Sequence, residues 1–151
     1  MSTRRERISA KEMRAIELNS EYLGVSTLQL MENAGRAVAS EIASRFSPPC
    51  RIVVYCGAGK NGGDGMVAAR HLASLGYNLS LVLVGKEGDI KDEVVTVNWQ
   101  AIEEMQRSVH LRVAYDSSLL GVEESDVTVD ALLGIGAKGA PRPPILQAVK
   151  A

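Results

Sequence analysis

The sequence predicts an α/β domain built on a parallel, doubly wound sheet. Three observations carry this. Short apolar runs alternate along the chain with helical patterns, the order from which parallel sheets are assembled. The run Leu79-Ser-Leu-Val-Leu-Val84 is almost continuously apolar, as expected of a strand covered on both faces. Arg51-Ile-Val-Val-Tyr-Cys56 leads into five glycines in nine residues, Gly57, Gly59, Gly62, Gly63 and Gly65, before a helical pattern resumes. Strand, glycine loop and helix together offer backbone N–H groups and a helix N-terminus to a ligand. A plain connector needs only one or two glycines.

The 151 residues suffice for one domain with a real core. A hydrophobic content of 46% and a charged content of 23% are ordinary for a globular protein. The formal net charge of −1 leaves no overall basic footprint for nucleic acid or anionic lipid. Cys50 and Cys56 have neither the spacing of a disulfide framework nor that of a zinc site. Cys56 reads as a small core residue, and the absence of any disulfide demand points to a reducing cytoplasm. The charged start is no signal peptide, and no apolar run approaches the roughly 20 residues of a membrane span.

Residues 1–8 read as a basic, frayed start. Ser9-Ala-Lys-Glu12 is a capping box that opens a helix to about Tyr22, with Gly24 as its stop. Ser26-Thr-Leu-Gln29 is a second one, and Leu30, Ala34, Val38 and Ile42 then recur every four residues as a core-facing stripe. Pro48-Pro49 closes that region. After the strand 51–56 and the glycine loop, a helix is expected from Asp64 to Leu75, stopping at Gly76. The strand 79–84, a helix over 91–107, a strand over 109–113 and a short helical turn within 116–124 follow. A strand over 127–133 enters Gly134-Ile-Gly-Ala-Lys-Gly139, and Pro141, Pro143 and Pro144 set up a last helix. The chain stops about two turns into that helix, which predicts a truncated domain.

Gly57-Ala-Gly-Lys-Asn-Gly62 formally matches G-x-G-x-x-G, but the acidic residue that a dinucleotide fingerprint wants is available only as Glu87, late and in a loop. No Lys-Ser or Lys-Thr pair follows the glycines, so a P-loop is excluded. Asp64, placed at a helix N-terminus, is either a helix cap or a hydrogen-bond acceptor for ribose or a polar ring. Asn61 offers a carbonyl to a hard cation. Lys60 is either a point charge for phosphate or a solvated side chain. Both glycine segments follow strands, so both should open on one sheet edge. Asp130 lies within the apolar Thr-Val-Asp-Ala-Leu-Leu run, where a carboxylate needs loop amides or a cation as partners. Lys138 sits in the second glycine segment, either turned to the cleft or exposed.

Met31-Glu-Asn-Ala-Gly35, Cys56-Gly-Ala-Gly-Lys-Asn-Gly-Gly-Asp-Gly65 with Ala69-Arg-His-Leu72, and Val129-Asp-Ala-Leu-Leu-Gly-Ile-Gly136 resemble the YjeF N-terminal family, which contains the NAD(P)HX epimerases. The three motifs fall in the family's order and cover most of the chain. The resemblance implies a Rossmann-like three-layer α/β/α sandwich with a mostly parallel sheet, usually a homodimer. It implies interconversion of the R and S epimers of hydrated NADH and NADPH, often beside a fused or partner NAD(P)HX dehydratase. It also implies Asn61 and Asp130 as ligands of a potassium ion (K+). Substrate contacts are implied at Lys60, Asn61, Gly62, Gly63 and Asp64, and at Gly134, Ile135, Gly136, Ala137, Lys138, Gly139 and Ala140. The family usually carries Asn at the position of Lys60, and it continues past residue 151 into an Asp-x-Pro-Ser-Gly motif.

Inverting the hydrated carbon calls for an acid and a base at its hydroxyl, and Asp64 and Lys138 are the candidates. Two rivals stand beside this reading. One is a non-catalytic scaffold of the same family that dimerises and binds RNA or protein partners; nucleic acid is disfavoured by an aromatic content of only 4% and no basic stripe. The other is an ordinary NAD-dependent dehydrogenase, weakened by the missing acidic residue.

Overall fold

The computed structural model describes residues 8–121 and 123–150, so the basic start lies, up to residue 7, outside the described residues. Four strands, β1 (Arg51–Cys56), β2 (Asn78–Val84), β3 (Val109–Ala114) and β4 (Val127–Ala131), form one all-parallel sheet in the order β3-β2-β1-β4. The chain steps outward from β1 to β3, then returns to the far side of β1. That reversal places a topological switch point between β1 and β4, where open α/β sheets bind their ligands.

Three helices, α2 (Thr27–Arg45), α3 (Lys60–Ser74) and α4 (Glu93–Glu103), cover one face over Ile52, Val54, Cys56, Leu81 and Leu83. The intervening residues Val53, Tyr55, Val82 and Val84 point to the other face, beneath Leu120, Leu132 and the short helix α5 (Ile145–Ala148). Burial on both sides is why the central strands read as unbroken apolar runs. The fold is the expected Rossmann-like α/β arrangement.

Both capping boxes form. The Ser9 hydroxyl accepts from the Glu12 N–H at 3.2 Å and the Glu12 carboxylate from the Ser9 N–H at 2.6 Å, which starts α1 (Ala10–Tyr22). The Ser26 N–H donates to Gln29 Oε1 at 2.8 Å at the start of α2. The stripe on α2 is displaced by one residue from expectation: Met31, Gly35, Ala39 and Ile42 are buried, while Ala34 and Val38 are exposed. Two adjacent four-residue lines were available, and spacing cannot choose between them. Gly35 decides, because a Cβ there would lie 2.4 Å from Val67 Cβ, so this line lets α2 approach α3 most closely.

The same rotation sets Glu32 against α3. Its carboxylate accepts from Arg70 Nη2 at 2.5 Å and contacts His71 Nε2 at 2.7 Å, and Arg70 also donates to Asn98 Oδ1 on α4 at 3.2 Å. Desolvation pushes the Glu32 carboxyl up, but the hydrogen bonds from His71 and Arg70 outweigh it and hold it below the usual value. We expect Glu32→Ala to lose about 1 kcal/mol at pH 7, the scale of a part-exposed ion pair. Because the folded pKa is lowered, that contribution is present above 4.5 and is lost as pH falls through the folded value. Urea midpoints of both proteins at pH 7 and in acid would check this; a gap that does not shrink in acid contradicts it.

Candidate functional site

At the carboxyl edge of the sheet, Cys56 lies opposite Ala131, and the Gly57 N–H donates to the Ala131 carbonyl at 3.0 Å. The chain after β1 turns into α3 and the chain after β4 runs out through residues 132–137. Both glycine segments therefore open on one edge, and a cleft of about 880 Å³ lies between them. One wall is Ala58, Gly59, Lys60, Asn61 and Asp64; the second is residues 132–137; Ile145 borders it from α5. A third wall comes from α1, with Met13, Arg14 and Glu17.

Helix α3 starts at Lys60, four residues before the expected start, with Gly59 as a cap that offers no side-chain hydrogen bond. The first-turn N–H groups of Lys60 and Asn61 have no intrahelical partner and border the cleft. Asp64 is consequently the fifth residue of the helix, not its first, and the dipole has faded by then. Its carboxyl is pushed up to about 6, chiefly by burial and further by the Glu17 carboxylate, with Lys60 pulling the other way. A cap would be held ionised; this group is poised to exchange a proton near neutrality.

The glycines have a different task from the one expected. None in the 57–65 stretch has a positive φ. A Cβ on Gly62 would lie 1.8 Å from the Gly57 carbonyl oxygen, one on Gly63 2.5 Å from Met31 Sδ, and one on Gly65 2.6 Å from Ala131 Cβ. They let α3 lie against the start of its own loop, α2 and β4. Gly62 and Gly63 are buried, and neither borders the cleft.

On the second wall, the Asn61 amide donates to the Leu133 carbonyl at 3.2 Å and so ties the two glycine segments together. Gly134, Ile135, Gly136 and Ala137 border the cleft. Lys138, Gly139 and Ala140 are exposed beyond it, so Lys138 is not brought beside Asp64.

The strand β4 ends at Ala131, two residues before the expected end. Asp130 accepts a hydrogen bond from the Leu132 N–H at 3.0 Å, as a loop-amide partner would require, but the residue is exposed, not buried in a core strand. In the sheet order β4 has a neighbour on one side only, so its residues are half covered. Asp130 borders a smaller hollow of about 190 Å³ with Tyr55, Glu123 and Thr128. Asn61 and Asp130 thus lie in two hollows that share only Leu132. Among the described residues no three His, Cys, Asp or Glu side chains cluster as a metal site.

The α1 wall was not read from the sequence. Met13, Arg14 and Glu17 share one helical face, but nothing in their spacing separates a ligand wall from a solvated face.

Three known proteins bear directly on this chain. It is 45% identical over 144 residues to a bifunctional NAD(P)H-hydrate repair enzyme Nnr of Hyperthermus butylicus, covering 95% of this chain and 27% of that protein. It is 36% identical to an NAD(P)H-hydrate epimerase of Cenarchaeum symbiosum, covering 95% of this chain and 66% of that protein. The chain therefore spans little more than a quarter of the bifunctional relative. A crystal structure of the yeast protein YNL200c superimposes with a TM-score of 0.74 at 28% identity, over 96% of this chain and 64% of that one. Residues 27–151 match the family model described as YjeF-related protein N-terminus, and the chain belongs to that family.

Proposed function

We propose that this chain carries an NAD(P)HX epimerase activity, interconverting the R and S forms of hydrated NADH and NADPH. The carrying observation is the half-buried Asp64, with its raised pKa, at the sheet's switch point in a chain so similar to named epimerase proteins. In the reaction the ring nitrogen donates its electron pair as the carbon–oxygen bond breaks, and water returns to the opposite face. Asp64, whose carboxyl is pushed up to about 6, gives a proton to the departing hydroxyl and takes one from the incoming water. Lys138, just past Ala137, is the second candidate for this proton traffic. The free N–H groups at the start of α3 and the 134–140 segment face the dinucleotide.

Potassium is the cofactor of this reading. Its donors are present on either side of Leu132: Asn61 keeps its amide oxygen free because its nitrogen makes the bond to Leu133, and Asp130, in the neighbouring hollow, keeps one carboxylate oxygen. Such an ion would supply fixed positive charge between the two glycine segments. Homodimerisation is supported by Ile16, Leu18, Tyr22, Leu23 and Leu28, apolar residues left exposed on and just after α1 and early in α2. Coupling to a dehydratase, fused or separate, is supported by the bifunctional relatives, and a reducing cytoplasm by the two free, buried cysteines Cys50 and Cys56. No helix among the described residues is long and apolar enough to cross a membrane.

Purified R- and S-NADHX mixed with the chain, with and without potassium, test the reading by the rate at which their ratio relaxes. Acceleration that depends on potassium and is lost in Asp130→Ala by about tenfold or more is the expected result. A relaxation no faster than the spontaneous one removes the epimerase assignment; full activity in Asp130→Ala removes the ion site alone.

A further inference from the structure

Helix α1 precedes the segment matched by the family, and it buries none of its 13 residues. Core packing therefore does not explain its sequence. It joins α2 through Gly24, at φ +92°, and its first turn is closed by its own capping box. Yet one face of it, Met13, Arg14 and Glu17, borders the cleft.

The charges on that face are arranged against those of α3. Arg14 and Glu17 are three residues apart and Lys60 and Asp64 four apart, so each helix presents one cation and one carboxylate a single turn apart. Glu17 lies close enough to Asp64 to push its carboxyl up, which brings the two carboxylates together. Arg14 makes no ion pair among the described residues. The cleft thus carries two carboxylates that act on each other, Glu17 and Asp64, with Lys60 beside Asp64 and an unpaired cation at Arg14.

We propose that α1 is a recognition wall in which Arg14 binds a phosphate of the dinucleotide and Glu17 repels it, so that the uncharged ring is the part left beside Asp64. This rests on the epimerase reading for the identity of the ligand, but not for the phosphate contact itself. A hydrated dinucleotide is anionic at its pyrophosphate and neutral at its ring, so Arg14 and the Glu17–Asp64 carboxylates favour its two different ends. Guanidinium is the side chain best matched to phosphate oxygens.

The test is calorimetric binding of ADP-ribose, which carries the pyrophosphate without the ring, to the whole chain at two salt concentrations, beside epimer exchange. Arg14→Gln is expected to weaken ADP-ribose at least about tenfold, the worth of one charge-assisted hydrogen bond. It should also flatten the salt dependence, raise KM for NADHX and leave kcat nearly unchanged. Arg14→Lys should restore part of the affinity, and Glu17→Gln should bind ADP-ribose at least as tightly as the wild type. Arg14→Gln removes no core contact and no ion pair among the described residues, so its urea midpoint should not move. Wild-type affinity and salt slope in Arg14→Gln, or no ADP-ribose binding by the wild type, overturns the proposal. Weakened binding in Glu17→Gln overturns its orienting half. A chain that fails to speed exchange but loses ADP-ribose with Arg14→Gln would discard the epimerase reading and keep the phosphate contact; the reverse pattern would do the opposite.

Discussion

Gly62→Ala is expected to destabilise the fold severely. Helix propensity alone forecasts the opposite, since alanine within a helix is favoured over glycine by about 1 kcal/mol. Packing reverses the sign. The added Cβ would sit 1.8 Å from the Gly57 carbonyl oxygen, 2.8 Å from its carbon and 3.1 Å from its nitrogen, all backbone atoms. That backbone cannot yield: the Gly57 N–H is bonded to Ala131, and Gly57 itself lies so close to the Leu132 carbonyl that its own Cβ would meet it at 2.1 Å. Relief would require parting β1 from β4 at the cleft edge. A loss of about 4 kcal/mol or more is expected, from a total stability on the order of 5–15 kcal/mol. Gly136→Ala is the control, because a Cβ there meets nothing within 4 Å. Urea unfolding followed by circular dichroism separates the two. If Gly62→Ala unfolds at or above the wild-type midpoint, close packing is not what the glycine is for.

Asp64→Asn is expected to slow epimer exchange about a hundredfold or more while making the fold more stable at pH 8. The first effect is the ordinary worth of one positioned acid or base. The second follows from the sign of the shift. The folded carboxyl is raised from 3.8 to about 6, so between those values the folded state holds a proton that the unfolded state has lost. Stability therefore falls as pH rises through that window, and the penalty is complete above about 6. The unscreened shift corresponds to about 3 kcal/mol, and solvent around a half-exposed group reduces it to about 1 kcal/mol. Asparagine removes the penalty, so its advantage should appear at pH 8 and vanish near pH 3.5. Equal pH dependence in both proteins would mean that Asp64 is not held protonated by its surroundings. Exchange at the wild-type rate would mean that it carries no proton.

Much of the architecture was legible because local signals agreed. The two capping boxes name the starts of α1 and α2 in four residues each, and both form as written. The apolar runs over 51–56 and 79–84 mark strands whose two faces are both covered. The departures from expectation share one cause. A four-residue repeat on α2 fits the Leu30 line as well as the Met31 line, and only contact with Val67 chooses. Gly62 and Gly63 read as a ligand loop because glycine is compatible both with an open turn and with a tightly packed helix. Asp130 reads as buried because its neighbours in sequence are apolar, but a strand with a single neighbour in the sheet exposes every other residue.

By itself the sequence determined the order of strands and helices, the parallel sheet, the sheet edge where a ligand is received, and the family. Each of these follows from periodicity or from residues adjacent in the chain. The tertiary structure alone decided that α3 begins at Lys60, that Asp64 faces Glu17, that Asn61 and Asp130 lie in separate hollows, and that α1 forms the third wall. These depend on which helix face meets which neighbour, and on charges brought together from positions as far apart as residues 17 and 64. Such distances are set by packing, and no local pattern encodes them.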